Sequence, residues 1–153
     1  MFLSAIASVA ALALYGCAAI ASDAPIPPTP EPASLVSVAP ADAEVYFISP
    51  SDGDTVASTF VVRFGLKGMG VAPAGADLPN TGHHHLLIDQ TGELNGTLPL
   101  PKTEQSIHFG GGQTETTVTL TPGEHTLQLV LGNHLHIPHN PPVVSKVITV
   151  TVK

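Results

Sequence analysis

The sequence predicts an all-β fold, and three observations lead to that prediction. Short runs rich in Val, Ile, Thr and Phe recur from residue 43 onward, and turn residues such as those of SPSDGD separate them. No stretch shows the 3.6-residue apolar period of an amphipathic helix. Seven or so short strands in about 110 residues are typical of an immunoglobulin-like antiparallel β-sandwich, and a small Greek-key barrel is the alternative.

The strand-forming runs follow one another with glycine- and proline-rich connections between them. In order they are EVYFI (44–48), VASTFVVRFGL (56–66), HHHLLID (83–89), QSIHF (105–109), TETTVTL (114–120), HTLQLVL (125–131) and VVSKVITVTV (143–152). In the sixth run, alternation places Leu127, Leu129 and Leu131 on one face, which supports a sandwich core.

A tight turn formed by Pro122 and Gly123 precedes the sixth run. Many sandwiches of this type carry, at the position of His125, a tyrosine that bonds back to the preceding turn. His125 is therefore either a structural corner residue or a metal ligand.

The N-terminus is typical of an exported protein. Residues 1–21 are apolar and small, which predicts a signal peptide, although no Lys or Arg precedes the apolar stretch. LYGC, ending at Cys17, resembles a bacterial lipobox in which this cysteine would be lipidated; AIA at 19–21 offers ordinary cleavage instead. We expect an anchor in the periplasm or outer membrane in the first case and a secreted protein in the second.

A proline-rich segment separates the leader from the folded domain. Residues 22–42 contain DAPIPPTPEPASLVSVAPAD, whose prolines favour extended polyproline II conformations. We interpret this segment as a tether, or as a disordered terminus if Cys17 is not lipidated. Residues 43–153 then form the β-sandwich domain.

Charge and composition exclude several classes of partner. Twelve acidic residues against five basic ones give a formal charge of −7, which argues against nucleic-acid binding. Cys17 is the only cysteine, and it precedes the folded domain. The domain therefore has neither a disulfide framework nor a thiolate metal site.

The distribution of histidine is the most informative feature of the composition. All eight histidines fall between His83 and His139. If HHHLLID is a strand, His83 and His85 share one face with Asp89, and His84 lies on the other. Two imidazoles at positions i and i+2 of a strand can converge on one cation, and the alternative is a solvated strand edge.

Two further segments carry imidazoles. GNHLHIPHNPP, residues 132–142, contains His134 and His136 in a loop that several prolines stiffen. His108 ends another predicted strand, directly before three glycines that permit close backbone approach. The alternative for the 132–142 loop is a histidine-rich surface loop without a specific role.

The three segments together predict one shared metal site. The candidate ligands are His83, His85, His134 and His136, with His108 as a further one, and Asp89 as a supporting partner. Imidazole ligands without cysteine suit copper, zinc or nickel, of which we expect a Cu or Zn ion as the cofactor. Because neutral imidazole is the binding form, affinity should fall below about pH 6.5.

Several long motifs resemble a family of exported bacterial domains catalogued only as a domain of unknown function. They include GHHHLLID, FGGGQTE and GEHTLQLVLGNHLHIPHNPPVVS, and the resemblance covers about residues 45 to 152. It implies a signal or lipoprotein leader and one β-rich domain, and it implies no activity. It also leads us to expect an aspartate or a similar small polar residue after Gly132, where this chain has Asn133.

Two looser likenesses concern copper proteins. Pro50-Ser51-Asp52-Gly53 is similar to the turn that opens periplasmic copper-carrier domains, but the N-terminal histidine that those domains use is missing. Copper–zinc superoxide dismutases combine a β-sandwich with His-x-His, and this chain lacks their two cysteines and remaining ligand pattern.

Three functions are compatible with the sequence. The first is an exported cell-envelope binding module for a divalent transition metal. The second is a structural or interaction module whose partner is another envelope protein and whose histidines tie loops together by hydrogen bonds. The third is an enzyme, which is the least supported because no nucleophile elbow or catalytic triad spacing is present.

Overall fold

Two β-sheets pack face to face across one hydrophobic core. The computed structural model describes residues 35–90 and 94–153, and these residues contain strands and turns but no helix. The predicted signal peptide, Cys17 and the first part of the predicted tether lie outside the described residues. The strands are β1 (Glu44–Ser49), β2 (Thr55–Val56), β3 (Thr59–Lys67), β4 (Gly70–Val71), β5 (Thr81–Ile88), β6 (Ser106–His108), β7 (Glu115–Thr119), β8 (Gly123–Gly132) and β9 (Ile148–Val152).

The strand order confirms the predicted sandwich. One sheet has the order β1-β3-β7; the other has the order β2-β9-β8-β5-β4, with β6 also paired to β5. The first order corresponds to strands A, B and E of the immunoglobulin arrangement, and β9-β8-β5 corresponds to G, F and C. The sheets do not close on each other, so the alternative of a Greek-key barrel is wrong.

One predicted strand divides between the two sheets. The run at 56–66 is interrupted at residues 57–58, so that β2 pairs in parallel with β9 while β3 pairs with β1 and β7. The last predicted strand is also shorter than its run, because regular pairing begins only at Ile148. The residues before it still contact β8 through a bridge between Val144 and Val130.

The alternation predicted for HHHLLID and HTLQLVL is confirmed. Leu86 and Ile88 lie in the main core with Leu127, Leu129 and Leu131. Leu87 lies on the opposite face of the sheet, where it packs against Leu100 and Val130. The whole of residues 82–88 is buried, so β5 is covered on both faces and is not a solvated edge.

The last residues of the predicted tether lie against the sandwich. The amide of Ala39 donates to the carbonyl of Asn140 at 3.0 Å, and the amide of Asn140 donates to the carbonyl of Ser37 at 2.9 Å. Ala39 is itself part of the main core. Among the described residues, no helix has the length and apolar character needed to span a bilayer.

Candidate metal centre

The interior strand β5 is the scaffold of the histidine cluster. It pairs with β8 on one side, where His83 lies opposite Gly132, and with β6 on the other, where His85 lies opposite His108. Because His83 and His85 are two residues apart, their side chains project from the same face of the sheet. This is the outer face, away from the main core.

Three imidazoles converge at this point. Nitrogen atoms of His83, His85 and His108 all lie within 4.8 Å of one another, a spacing that could hold a metal ion. Nε2 of His83 and Nε2 of His85 are 3.1 Å apart. Two nitrogens bound tetrahedrally to one zinc at about 2.0–2.1 Å would be about 3.3 Å apart, which is close to this separation.

The ring of His136 completes a group of four. Its centroid lies 5.0 Å from that of His83, 6.0 Å from that of His85 and 4.6 Å from that of His108. The other three separations are 5.0 Å for His83 and His85, 5.0 Å for His83 and His108, and 5.1 Å for His85 and His108. Four imidazoles around a tetrahedral zinc would have centroids about 5 Å apart. We call these four residues the histidine cluster.

Burial favours the neutral form of His83, His85 and His108 by lowering the pKa of each. Loss of solvent lowers the pKa of His83 to about 4, with a further contribution from the nearby His136 and His108. The same loss, followed by the proximity of His83 and His108, lowers the pKa of His85 to about 3. The pKa of His108 is lowered by burial, then by His136 and Lys102. At neutral pH each of these three imidazoles therefore has one unprotonated ring nitrogen, which is the form that binds a metal ion.

Buried ring nitrogens without partners mark the same place. In the described part of the chain, Nδ1 of His83, Nδ1 of His85 and Nε2 of His108 are buried and make no hydrogen bond. Buried polar atoms are ordinarily satisfied, because leaving one unpaired costs about 1–3 kcal/mol. Nε2 of His108 is therefore free to bind an ion. An ion at Nε2 of His83 and His85 would leave their Nδ1 atoms unpaired, because the two nitrogens of one imidazole point in different directions.

Glycines make room for the cluster. A Cβ added at Gly132 would lie 3.0 Å from Nε2 of His85, and one added at Gly110 would lie within 3 Å of the ring of His108. Any larger residue at either position would push an imidazole away from the cluster. The glycines after His108 were recognisable from the sequence, whereas the contact between Gly132 and the candidate ligand His85 was not.

The remaining histidines bind elsewhere. His134, predicted as a ligand, places Nδ1 3.3 Å from a carboxylate oxygen of Asp77. His139 lies between the carbonyls of Leu131 and Thr81, at 3.3 and 3.2 Å. Among the described residues, no ring contact joins either of them to the histidine cluster.

His84 points to the opposite face of β5, as its alternation predicted. Its ring packs against Phe64 in the main core, with centroids 5.1 Å apart. Neither ring nitrogen makes a well-formed hydrogen bond, although the backbone of Gln113 lies near enough to favour the charged form slightly. Burial dominates and lowers the pKa of His84 to about 4.

Asp89 supports His125 and not the cluster, so its predicted role as a partner of the metal ligands is wrong. One carboxylate oxygen accepts a hydrogen bond from Nδ1 of His125 at 2.7 Å, and the other accepts from the amide of Thr126 at 2.8 Å. Nε2 of His125 donates to the carbonyl of Thr121 at 2.9 Å, which confirms the corner residue. The hydrogen bond with Asp89 raises the pKa of His125.

Comparison with protein families matches residues 62–153, more than half of the chain, to a domain of unknown function, DUF4399. The chain belongs to the DUF4399 family. The matched region contains all eight histidines, so the histidine cluster lies within the DUF4399 domain and not in an appended segment. No curated protein and no solved structure matches the chain at a significant level.

Asn133, at the position where the resemblance predicts an aspartate or a similar small polar residue, has a structural role in the DUF4399 domain. The side-chain oxygen of Asn133 accepts hydrogen bonds from the amides of Leu135 and Ile137, at 2.9 and 3.0 Å. Its side-chain nitrogen donates to the carbonyl of Leu35 at 2.8 Å and to the hydroxyl of Ser37 at 3.2 Å. An aspartate, which the resemblance led us to expect, has no nitrogen and would lack the last two bonds.

Proposed function

We propose that this DUF4399 domain binds a transition metal ion through His83, His85 and His108, with His136 as the fourth ligand. The single observation that carries the proposal is the convergence of these four imidazoles from three separate chain segments. His83 and His85 come from β5, His108 comes from β6, and His136 comes from the loop after β8. A chance grouping on the surface is therefore a poor explanation. Burial of His83 and His85, at 0% and 1% exposure, gives the ion a low-dielectric environment that strengthens binding.

The arrangement of the rings favours zinc, with copper(I) as a second occupant. Five of the six centroid separations lie between 4.6 and 5.1 Å. A square-planar set would give two separations about 1.4 times the other four, the geometry that copper(II) and nickel(II) prefer. Near-equal separations are those of a tetrahedron, which is the usual geometry of four-coordinate zinc.

Four protein ligands around one ion leave no vacant coordination position. Catalytic zinc sites ordinarily keep one position for water or substrate, whereas structural and storage sites are closed. The proposed site therefore fits metal holding better than metal-assisted hydrolysis. With the predicted leader, we extend the proposal to a metal-binding module of the cell envelope, anchored through Cys17 or released.

Calorimetric titration of the full chain with Zn(II), and with Cu(I) under reducing conditions, tests the proposal. We expect saturable binding of one ion per chain at neutral pH, and loss of binding in His83→Ala and His108→Ala. His134→Ala is the matched control, because His134 lies against Asp77, and it should bind as the unaltered chain does. Absence of saturable binding by the unaltered chain would sink the proposal.

A second candidate function has its own supporting observation. His125, His134 and His139 each join separate parts of the chain through ring nitrogens, His125 by its bond to Asp89, as a structural module without metal would require. This candidate predicts that His83→Ala and His134→Ala each lower the melting temperature in metal-free buffer. The metal proposal predicts instead that only His83→Ala abolishes the response to added zinc.

A further inference from the structure

The loop that carries His136 is a tight turn organised around one side chain. Gly132 and Pro138 pair across its base, and the amide of His136 donates to the carbonyl of Asn133 at 2.8 Å. His136 itself has φ of +67°, a left-handed conformation that is uncommon for a residue with a side chain. Such a conformation persists only where the surrounding contacts enforce it.

Asn133 supplies those contacts from inside the turn. It is 1% exposed, and its oxygen receives the amides on both sides of His136, those of Leu135 and Ile137. Without that oxygen both amides lose their acceptor, and the backbone at His136 keeps only its main-chain bonds, among them the amide of Leu100 donating to the carbonyl of His136 at 2.8 Å. The oxygen of Asn133 is thus the side-chain group that holds the turn around the His136 ring.

The other end of the same side chain holds the segment that leads to the N-terminus. The nitrogen of Asn133 donates to Leu35 and Ser37, and the backbone of residues 37–39 pairs with Asn140 just after the loop. A single buried amide thus connects the fourth proposed ligand with the end of the predicted tether.

We propose that Asn133 is a positioning residue of the metal site and that it couples metal binding to docking of residues 35–39 on the sandwich. This inference rests on the proposed function. By thermodynamic reciprocity, a docked segment 35–39 raises metal affinity, and a bound ion stabilises the docked segment by the same factor. In an anchored protein, the tether nearest the domain would then be ordered or released according to metal occupancy.

Substitutions of Asn133 in the full chain test the positioning role, with Zn(II) titration and the visible spectrum of the Co(II)-loaded protein as readouts. Asn133→Ala should lower affinity about 10- to 100-fold, the range found when supporting residues of metal ligands are replaced. Its Co(II) spectrum should change, because the ligand field alters when His136 moves. Asn133→Asp keeps the oxygen that accepts from Leu135 and Ile137 but loses the nitrogen that donates to Leu35 and Ser37, so it should recover part of the affinity.

Two further variants separate positioning from general destabilisation. Ala39→Pro removes the amide that donates to Asn140 without altering the loop, and it should weaken Zn(II) binding. Val150→Ala leaves a cavity in the main core on β9 and should lower the melting temperature without changing either metal readout.

The outcomes distinguish this inference from the proposed function. If the unaltered chain binds no metal, the proposed function fails and this inference fails with it. If the unaltered chain binds but Asn133→Ala has the same affinity and Co(II) spectrum, the positioning role and the coupling through Asn133 are overturned, and the proposed function stands. If Ala39→Pro and Asn133→Asp both bind as the unaltered chain does, the coupling to residues 35–39 is overturned.

Discussion

His85 shows how closely the cluster is fitted at the scale of a residue. Its ring lies between the backbone of Gly132 and the rings of His83 and His108. Cross-strand pairing fixes the distance of each neighbour, since His85 faces Val130 on one side and His108 on the other. The imidazole therefore has little freedom to adjust if a neighbour grows.

Gly132→Ala should disrupt metal binding with little effect on the fold. The added Cβ would meet Nε2 of His85 at 3.0 Å and displace that ring from its neighbours. We expect Zn(II) affinity to fall at least about tenfold, as for other changes in the support of a metal ligand. Gly96→Ala is the control, because a Cβ at Gly96 meets nothing within 4 Å. Equal affinities for the two variants would contradict the close contact.

The stability of the metal-free protein should depend on pH, because His83 and His85 are neutral in the folded state. Folded His83 and His85 stay neutral down to a pKa of about 4 and about 3, whereas unfolded histidine titrates near 6.5. The unfolded state thus binds more protons below pH 6.5, and the free energy of unfolding should fall as pH drops from about 6.5 to about 4. For His83, the difference between a pKa of 6.5 in the unfolded chain and about 4 in the folded chain corresponds to about 3 kcal/mol of unfolding free energy.

Urea denaturation of the chelator-treated protein at pH 7 and pH 4.5 measures this loss. The variant His83→Leu removes one titrating group and should lose less stability between the two pH values. His125 acts in the opposite direction, because its pKa is raised and its contribution is lost as pH rises above that value. Stability independent of pH between 7 and 4.5 would mean that the imidazoles of His83 and His85 are solvated.

At the scale of the element, β5 divides three consecutive histidines between two environments. His83 and His85 face the covered outer side, and His84 faces Phe64 in the core. This division was predictable, because strand alternation requires it wherever both faces are buried. Identical side chains on the two faces of one strand can therefore be compared directly by mutation.

His84→Leu should stabilise the metal-free domain and leave metal binding unchanged. The substitution removes two ring nitrogens that lack well-formed hydrogen bonds and leaves an apolar group beside Phe64. We expect the free energy of unfolding to rise by about 1–3 kcal/mol. His83→Leu, one residue away, should abolish Zn(II) binding. A loss of stability in His84→Leu would show that the backbone of Gln113 is a necessary partner of His84.

Other elements were less accessible to sequence reasoning. The alternating apolar residues of β8 marked the core, but nothing in the run at 56–66 shows that its first residue, Val56, joins the other sheet together with Thr55. Likewise, the candidate ligands on β5 were recognisable as His-x-His, whereas His134 and His136 form the same pattern in a loop. The left-handed conformation of His136, the hydrogen bonds of Asn133 and the contact of His134 with Asp77 distinguish the ring that enters the cluster from the one that does not. These are tertiary features, and no periodic pattern of residues in the sequence predicts them.

At the scale of the whole molecule, added zinc should raise the melting temperature. An ion that binds only the folded state at 100 times its dissociation constant adds about 2.7 kcal/mol of stability. For a domain of about 110 residues, this corresponds to an increase on the order of 10 °C. Calorimetry with and without Zn(II) measures it, and His108→Ala should show no increase. An equal increase in both proteins would indicate binding outside the cluster.

The separation of the four imidazoles along the chain has a consequence for the lifetime of the fold. They come from β5, from β6 and from the loop after β8, so one ion held by all of them would act as a removable cross-link between distant segments. The chain has a single cysteine and cannot form such a link within itself by disulfide chemistry. In the metal-bound state, unfolding would have to wait for the ion to leave. Resistance to proteases would then be set by the rate of metal dissociation, and a chelator would shorten the half-life of the protein.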